Sequence, residues 1–195
     1  GPSDFVTNSD KKVEKIIIEE LSKSRKKYSI LSEEIGEIKK IDKDNFWIID
    51  PIDGTTNFLH GVPHFAISIA LKSKEEIICG LIFDPIKNEM FYAEKNNGAY
   101  FNNQRIRVSK KKNIEECLFA TGGKKEIKSS LNIRKSGSAA LDLAYIGAGR
   151  YDGCFQNNLR IWDVAAGIII IQEAGGKIND LNPSSLQELS IFAAS

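Results

Sequence analysis

Two aspartates three residues apart, Asp50 and Asp53, directly follow the apolar run of residues 46–49. Such a run is typical of a buried strand, and Pro51 and Gly54 favour a turn at its end. Two carboxylates this close repel each other unless a cation lies between them. Carboxylate oxygens suit Mg²⁺, which also keeps water and phosphate oxygens in its coordination shell. The pair therefore predicts a metal site at the end of this strand.

The residues after this pair favour a helix whose first turn could bind an anion. Thr55 and Thr56 suit a helix start, and the amides of Gly54, Thr55 and Thr56 would then point towards a bound phosphate group. The Thr55 hydroxyl could also orient an attacking water if a carboxylate takes its proton, and Asp10 is a candidate for that carboxylate. Because metal and phosphate sites would lie on adjacent residues, the first hypothesis is a metal-dependent phosphate enzyme.

Three further acidic residues are candidates for the same site, and each has an ordinary alternative explanation. Glu33 closes a short strand, where a surface acid is the default. Asp163 opens an apolar helix and Asp10 precedes a helix from residue 11, so both could be N-caps. Four acids, together with a backbone carbonyl, would suit two or three Mg²⁺ ions around a phosphate, one activating water and another stabilising the leaving oxygen.

The remaining pattern predicts alternating helices and strands, and hence a layered α/β or α+β fold. Alternating residues beyond the aspartate pair predict an antiparallel meander beside the first helix. The lysine-rich segment 110–113 marks the predicted boundary between an N-terminal part, residues 1–112, and a C-terminal part, residues 113–195. The predicted elements are helices at 10–27, 138–149 and 163–174, strands at 28–31, 46–49, 64–71, 77–83 and 89–93, and a polar loop at 36–45.

The composition is typical of a globular protein. The chain has 27 basic and 26 acidic residues, a net charge of +1, so charge gives no reason to expect a nucleic-acid or membrane partner. Cys79, Cys117 and Cys154 form no CxxC pair, which is typical of reduced thiols in a cytoplasmic protein. We find no signal peptide at the start of the sequence, and the apolar run 168–171 is far too short to span a bilayer.

Several segments, in order along the chain, resemble the inositol monophosphatase family. Residues 47–58 (WIIDPIDGTTNF) resemble its first signature, and residues 161–167 (IWDVAAG), followed by 173–176 (EAGG), resemble its second. The resemblance continues in residues 4–10, 32–34 and 137–145, and so covers almost the whole chain. It implies a layered α-β-α-β-α sandwich of the sugar-phosphatase type, usually a homodimer and often inhibited by Li⁺.

The resemblance also implies a set of metal ligands. Glu33, Asp50 and the carbonyl of Ile52 would bind one Mg²⁺ ion. Asp50, Asp53 and Asp163 would bind a second, and Glu33 would help to bind a third ion next to the attacking water. Two or three Mg²⁺ ions are therefore the implied cofactors.

Catalytic and substrate-binding roles follow from the same resemblance. Glu33, Thr55 and Asp10 would be catalytic, with Thr55, backed by Asp10, orienting water for direct in-line attack. The amides of Gly54 and Thr55 would hold the phosphate. Residues implied to contact the substrate are Ile52, Asp53, Gly54, Thr55, Gly137, Ser138, Ala139, Gln156 and Asp163.

One position departs from the family pattern. The family often has a glutamate six residues before the second-signature tryptophan, where this chain has Gln156. Glutamine can still hydrogen-bond a substrate hydroxyl, but it lacks the charge.

The expected activity is Mg²⁺-dependent hydrolysis of inositol monophosphate or a similar small polyol phosphate. The alternatives are other substrates of the family, namely fructose bisphosphate, 3′-phosphoadenosine 5′-phosphate or histidinol phosphate. A different class of function is a member associated with transcription or ribosome biogenesis, in which a surface contact is primary.

Overall fold

The structure is a computed structural model that describes residues 8–122, 131–179 and 189–194. Its helices are α1 (Asn8–Ser24), α2 (Thr55–Leu59), α3 (Ala139–Gly147) and α4 (Ile161–Glu173), with a 3₁₀ turn at Ile114–Glu116. Its strands are β1 (Tyr28–Ser32), β2 (Gly36–Ile38), β3 (Asp42–Asp53), β4 (Ala66–Ser73), β5 (Glu76–Asp84), β6 (Glu89–Glu94), β7 (Gly98–Phe101), β8 (Gln104–Arg105), β9 (Leu118–Thr121), β10 (Asn132–Arg134), β11 (Gly153–Leu159), β12 (Lys177–Ile178) and β13 (Leu189–Ala194).

The strands form two sheets. The first has the order β2-β1-β3-β4-β5-β6-β7-β8, in which β1 and β3 are parallel and the other neighbours are antiparallel. The second has the order β10-β9-β11-β13-β12. The strands of the first sheet precede residue 112 and those of the second follow it, whereas the division into two domains at that point stays a prediction.

Helix α4 forms the centre of the layered arrangement. It packs against β4, β5 and β6 of the first sheet and against α3, and α3 also contacts β11 of the second sheet. Two glycines permit these close approaches, since a Cβ atom at Gly80 would collide with Ile169 and one at Gly167 would collide with Leu143. The side chains from Val164 to Ile171 are buried almost without exposure, so α4 is apolar around most of its circumference.

The structure confirms the predicted layered sandwich and corrects several details. Among the described residues the layers are α1, the first sheet, the α3–α4 pair and the second sheet. The polar segment 36–45 is not a loop, because it contains β2 and the start of β3. The meander packs mainly against α4 rather than α1, and α1 contacts β1 and β3 instead.

A register shift in β3 decides where the two aspartates point. Asp50 pairs with Ser68, whereas Asp53 pairs with Ala66, so three residues of β3 span two of β4. In a regular strand, residues three apart face opposite sides of the sheet. The extra residue of this bulge brings Asp50 and Asp53 to the same side. Ser68 donates a hydrogen bond from its hydroxyl to the Trp162 carbonyl (3.4 Å), so this is the side that α4 covers.

Candidate active site

Three aspartates meet where β3 ends and α4 begins. Asp50, Asp53 and Asp163 each offer a carboxylate oxygen, and these atoms all lie within 4.8 Å of one another. Asp50 is 2% exposed and Asp53 7% exposed. Asp163 is the third residue of α4, and its Oδ2 accepts a hydrogen bond from the backbone N–H of Arg160 (2.7 Å). The N-cap of α4 is Arg160. The alternative interpretation of Asp163 as the N-cap is therefore wrong.

Glu33 lies beside this group, in the turn that follows β1. Its carboxyl group is hydrogen-bonded to that of Asp50. The backbone N–H of Glu33 donates to the carbonyl of Ile49 on β3 (3.2 Å). Glu33 as a whole residue is exposed, unlike Asp50 and Asp53, but its carboxyl group is desolvated beside these acids.

The N-terminus of α3 holds Asp53. The Asp53 Oδ2 atom accepts hydrogen bonds from the hydroxyl of Ser138 and from the backbone N–H of Ala140 (3.0 Å). The Ser138 oxygen in turn accepts a hydrogen bond from the N–H of Leu141 (3.3 Å) and caps α3. Ser138 was predicted to contact substrate, but in the structure its hydroxyl is directed at Asp53. Sequence analysis missed Ala140, because an alanine acting through its N–H leaves no side-chain signal.

Two glycines bring the segment before α3 against the turn after β3. Gly54 has φ of +93°, and a Cβ atom there would lie 3.2 Å from the Gly137 carbonyl oxygen. Gly137 has φ of +85°, and a Cβ atom there would lie 2.8 Å from the Asn57 side chain. Asn57 donates from Nδ2 to the carbonyls of Ser136 (2.9 Å) and His64 (2.8 Å). The predicted residues Gly54 and Gly137 are thus neighbours, with Ala139 following in the first turn of α3.

Thr55 begins α2 and points back towards the end of β3. Its hydroxyl donates to the carbonyl oxygen of Ile52 (3.1 Å), which was predicted to be a metal ligand. That oxygen has a second lone pair, so the hydrogen bond leaves it able to bind a cation. The N–H of Ile52 donates to Asp50 Oδ1 (3.0 Å), which fixes the turn between the two aspartates.

Asp10 lies inside α1 rather than at its end. In the described chain, α1 begins at Asn8, so Asp10 is in the first turn and the interpretation as an N-cap is wrong. The residue is 1% exposed, on a helix that contacts β3. The residue is therefore inside the protein, whereas a place beside the acidic group and its pairing with Thr55 stay predictions. Residues 4–7 of the resembling segment lie outside the described residues.

Gln156 takes part in a buried polar cluster next to this site. Its Nε2 donates to Asp142 Oδ2 (2.7 Å), and the Ser136 hydroxyl donates to Asp142 Oδ1 (2.7 Å). Asp142 is 1% exposed and Gln156 is 3% exposed. Burial raises the pKa of Asp142 to about 8. Its carboxyl group therefore ties Gln156 to the segment that carries Gly137, a link that sequence analysis missed.

The electrostatics of the acidic group favour a bound cation. Burial, and then the charge of Asp163, raises the pKa of Asp53 to about 7 and that of Glu33 to about 7. Burial raises the pKa of Asp163 to about 6. Burial and the neighbouring acids raise the pKa of Asp50 well above its usual range. Hard oxygen donors this close, and this costly to ionise, fit a divalent cation such as Mg²⁺.

Similarity to known proteins agrees with this geometry. The sequence profile described as the inositol monophosphatase family matches residues 1–195. The chain belongs to this family. It is 45% identical over 195 residues to the inositol-1-monophosphatase of Rhizobium meliloti (strain 1021), covering 92% of this chain and 73% of that protein.

Two other relatives carry different names. The chain is 43% identical over 195 residues to the Nus factor SuhB of Escherichia coli (strain K12), covering 92% of this chain and 73% of that protein. The crystal structure of the extragenic suppressor protein suhB from Bartonella henselae superposes with a TM-score of 0.92 at 45% identity, covering 100% of this chain and 81% of that one.

Among the residues that the structure describes, no helix is long and apolar enough to cross a membrane.

The raised pKa values predict how pH and Mg²⁺ change stability together. An unfolded carboxyl group has a pKa of about 4, whereas those of Glu33, Asp53 and Asp163 are about 7, 7 and 6 when folded. Between these values the folded protein holds more protons, so the site's contribution to the free energy of unfolding falls as pH rises. A bound cation offsets this loss, so we expect Mg²⁺ to raise Tm more at about pH 8 than at about pH 5.5.

Thermal unfolding in EDTA and in Mg²⁺ at both pH values measures this effect. The difference between the Tm in Mg²⁺ and the Tm in EDTA isolates the contribution of the site, because acids elsewhere titrate in the same way under both conditions. In Asp163→Asn the Mg²⁺-dependent rise and its pH dependence should both shrink. An equal rise at the two pH values in the unmodified protein would contradict the assignment of these carboxyl groups to a cation site.

Proposed function

We propose that this protein is a Mg²⁺-dependent phosphomonoesterase that hydrolyses inositol monophosphate or a similar small polyol phosphate. The observation that carries the proposal is the group of Asp50, Asp53 and Asp163, whose oxygens lie within 4.8 Å of one another. Family membership supports phosphatase chemistry, and the hard oxygen donors support Mg²⁺. When bound, Mg²⁺ would lower the pKa of water and neutralise charge on the phosphate group.

The ligand set that we propose is the one implied by the family. Glu33, Asp50 and the Ile52 carbonyl would hold one ion, and Asp50, Asp53 and Asp163 a second, with Glu33 contributing to a third. Asp50 would be shared by two ions, which agrees with its central place. It is hydrogen-bonded to Glu33 and lies in the group with Asp53 and Asp163. Binding requires these carboxyl groups to release their protons.

In the proposed reaction, water attacks phosphorus directly while the bond to the ester oxygen breaks. The Thr55 hydroxyl would accept a hydrogen bond from this water and pass its own proton to Asp10. To do so it must turn away from the Ile52 carbonyl, to which it now donates. The departing alkoxide takes up a proton from solvent water and Asp10 returns its proton to solvent, so the products are inorganic phosphate and the free alcohol.

The amides of Gly54 and Thr55 would hold the phosphate oxygens. The first N–H groups of a helix have no partner within it, and in the described chain no side chain caps α2. Gly54 is the N-cap residue of α2 in the left-handed conformation, which a residue with a side chain rarely adopts. These amides would contact only the phosphate group, so they would not discriminate between substrates with different alcohols.

The alcohol side of the substrate would meet the segment Gly137–Ala139 and Gln156. Gly137 is exposed and lies next to Gly54, which supports contact through its backbone groups. Ala139 is half-buried and its backbone N–H donates to Asp53, so its contact with substrate stays a prediction. Ser138 and Gln156 would act less directly, because their side chains donate to Asp53 and Asp142. Direct contact of Ser138, Gln156, Ile52, Asp53 and Asp163 with substrate stays a prediction.

Phosphate release from a panel of substrates at one saturating Mg²⁺ concentration tests this function. The panel is inositol 1-phosphate, glycerol 2-phosphate, fructose 1,6-bisphosphate, 3′-phosphoadenosine 5′-phosphate and histidinol phosphate. We expect the highest kcat/KM for inositol 1-phosphate. Preference for the bisphosphate, the nucleotide or histidinol phosphate would assign one of the alternative substrates of the family, and no release from any would contradict the phosphatase proposal.

A second candidate is a transcription-associated function, favoured by the relative named Nus factor SuhB. Such a function would use a surface contact rather than the acidic site. Recovery of RNA polymerase subunits with Asp53→Asn as well as with the unmodified protein would support it.

A homodimer, inhibition by Li⁺ and a cytoplasmic location also remain proposals that rest on the family.

A further inference from the structure

Glu14 is a buried acidic residue outside the proposed ligand set. It lies on α1, one helical turn after Asp10, and it has no measurable solvent exposure. Residues four apart lie on the same face of a helix. Burying a carboxylate costs free energy unless its oxygens are hydrogen-bonded, so the contacts of Glu14 reveal what it does.

One oxygen of Glu14 binds the turn that follows Glu33. Glu14 Oε1 accepts hydrogen bonds from the backbone N–H groups of Glu34 (3.3 Å) and Ile35 (3.2 Å). Among the described residues, Glu14 Oε2 is buried without a hydrogen-bond partner. Hydrogen bonds therefore offset only part of the cost of burying this carboxylate. Both of them come from the two residues that follow the proposed metal ligand Glu33.

These contacts complete a set of restraints on Glu33. On one side, the Glu33 N–H donates to the Ile49 carbonyl of β3 (3.2 Å). On the other side, Glu14 of α1 accepts hydrogen bonds from the N–H groups of the two residues that follow Glu33. The Glu33 carboxyl group is thereby directed at that of Asp50, its hydrogen-bond neighbour. Without Glu14, water could accept these hydrogen bonds, because Glu34 is half-buried and Ile35 is 55% exposed.

We propose that Glu14 is a positioning residue that holds the Glu33 turn and so places the Glu33 carboxylate for cation binding. This inference rests on the proposed Mg²⁺ ligand set. Groups behind metal ligands set the orientation of those ligands, and their removal typically weakens metal binding by ~10–100-fold. Helix α1 would then supply Asp10 to the reaction and, one turn later, fix a ligand through Glu14.

Calorimetric titration of Mg²⁺ into metal-free protein tests this role without substrate. We expect Glu14→Met to weaken Mg²⁺ binding by ~10-fold or more. Glu14→Gln keeps a carbonyl oxygen that can accept both N–H groups, so it should restore most of the affinity. Glu19→Met is the matched control, because Glu19 lies on the same helix with its side chain 57% exposed.

A double-mutant cycle separates positioning from a general loss of structure. If Glu14 acts through Glu33, adding Glu14→Met to Glu33→Gln should weaken Mg²⁺ binding little further. Unchanged affinity in Glu14→Met, or an equal further loss in the Glu33→Gln background, would overturn the proposal. If Glu14→Met does not fold, Glu14→Ala replaces it and the same outcomes apply.

The test also distinguishes this inference from the proposed function. If the unmodified protein releases no phosphate while Glu14→Met still weakens Mg²⁺ binding, the hydrolase proposal fails and the role of Glu14 stands. If the unmodified protein hydrolyses substrate and Glu14→Met binds Mg²⁺ normally, the role of Glu14 fails alone.

Discussion

Asp53→Asn is expected to lower kcat for inositol 1-phosphate by ~1000-fold or more, which corresponds to about 4 kcal/mol of transition-state stabilisation. The substitution removes one of the charges that would hold Mg²⁺ between β3 and α4. It keeps a carbonyl oxygen that can accept the hydrogen bonds from Ser138 and Ala140. The fold should therefore survive, and removing a buried charge that neighbouring acids repel should not lower the stability of the metal-free protein.

Steady-state kinetics and thermal unfolding of Asp53→Asn check this expectation together. Asp44→Asn is the matched control, because Asp44 lies on the same strand and is exposed. Near-normal kcat in Asp53→Asn at saturating Mg²⁺ would rule out Asp53 as a required ligand. A large loss of Tm in EDTA would instead mean that the aspartate is needed for folding.

Thr55→Ala is expected to lower kcat by ~100-fold with a change in KM of only a few-fold, because a positioned proton-transfer group contributes ~100-fold or more. The hydroxyl lies at the start of α2, where it now donates to the carbonyl of Ile52. In the proposed reaction it acts on water, so its loss affects the chemical step rather than substrate binding.

Two controls isolate the Thr55 hydroxyl. Thr56→Ala removes the neighbouring hydroxyl from an exposed residue of the same helix and should leave kcat nearly unchanged. Thr55→Ser keeps a hydroxyl and should restore a large part of kcat. If Thr55→Ala raises KM without lowering kcat, Thr55 binds substrate and a different group orients the water.

Asp50 and Asp53 were visible in the sequence because acids that directly follow an apolar run are unusual. The spacing of Asp50 and Asp53 predicted a cation, and the structure brings both together with Asp163. The spacing alone did not predict that they face one side, since residues three apart alternate in a regular strand. The bulge that corrects this contains Pro51, a residue that strands tolerate mainly at bulges and edges.

The groups that hold these acids were not predictable from the sequence. Ser138 holds Asp53 from 85 positions away, and Glu14 holds the turn after Glu33 through a residue 20 positions away. Asp142 likewise holds Gln156, 14 positions away. Such pairings depend on how helices pack against the first sheet, which local patterns do not determine. The segment 36–45 was misjudged for a related reason, because its polar residues form β2 and the start of β3, where no residue is buried.

The initial rate of phosphate release from inositol 1-phosphate, by EDTA-treated protein before and after Mg²⁺ is restored, tests the central claim most directly. We expect almost no release before addition and a saturable rise in rate as Mg²⁺ is added. Asp163→Asn should show little of this rise at the same concentrations. Equal rates of release with and without Mg²⁺ would contradict the claim that Asp50, Asp53 and Asp163 act by holding this cation.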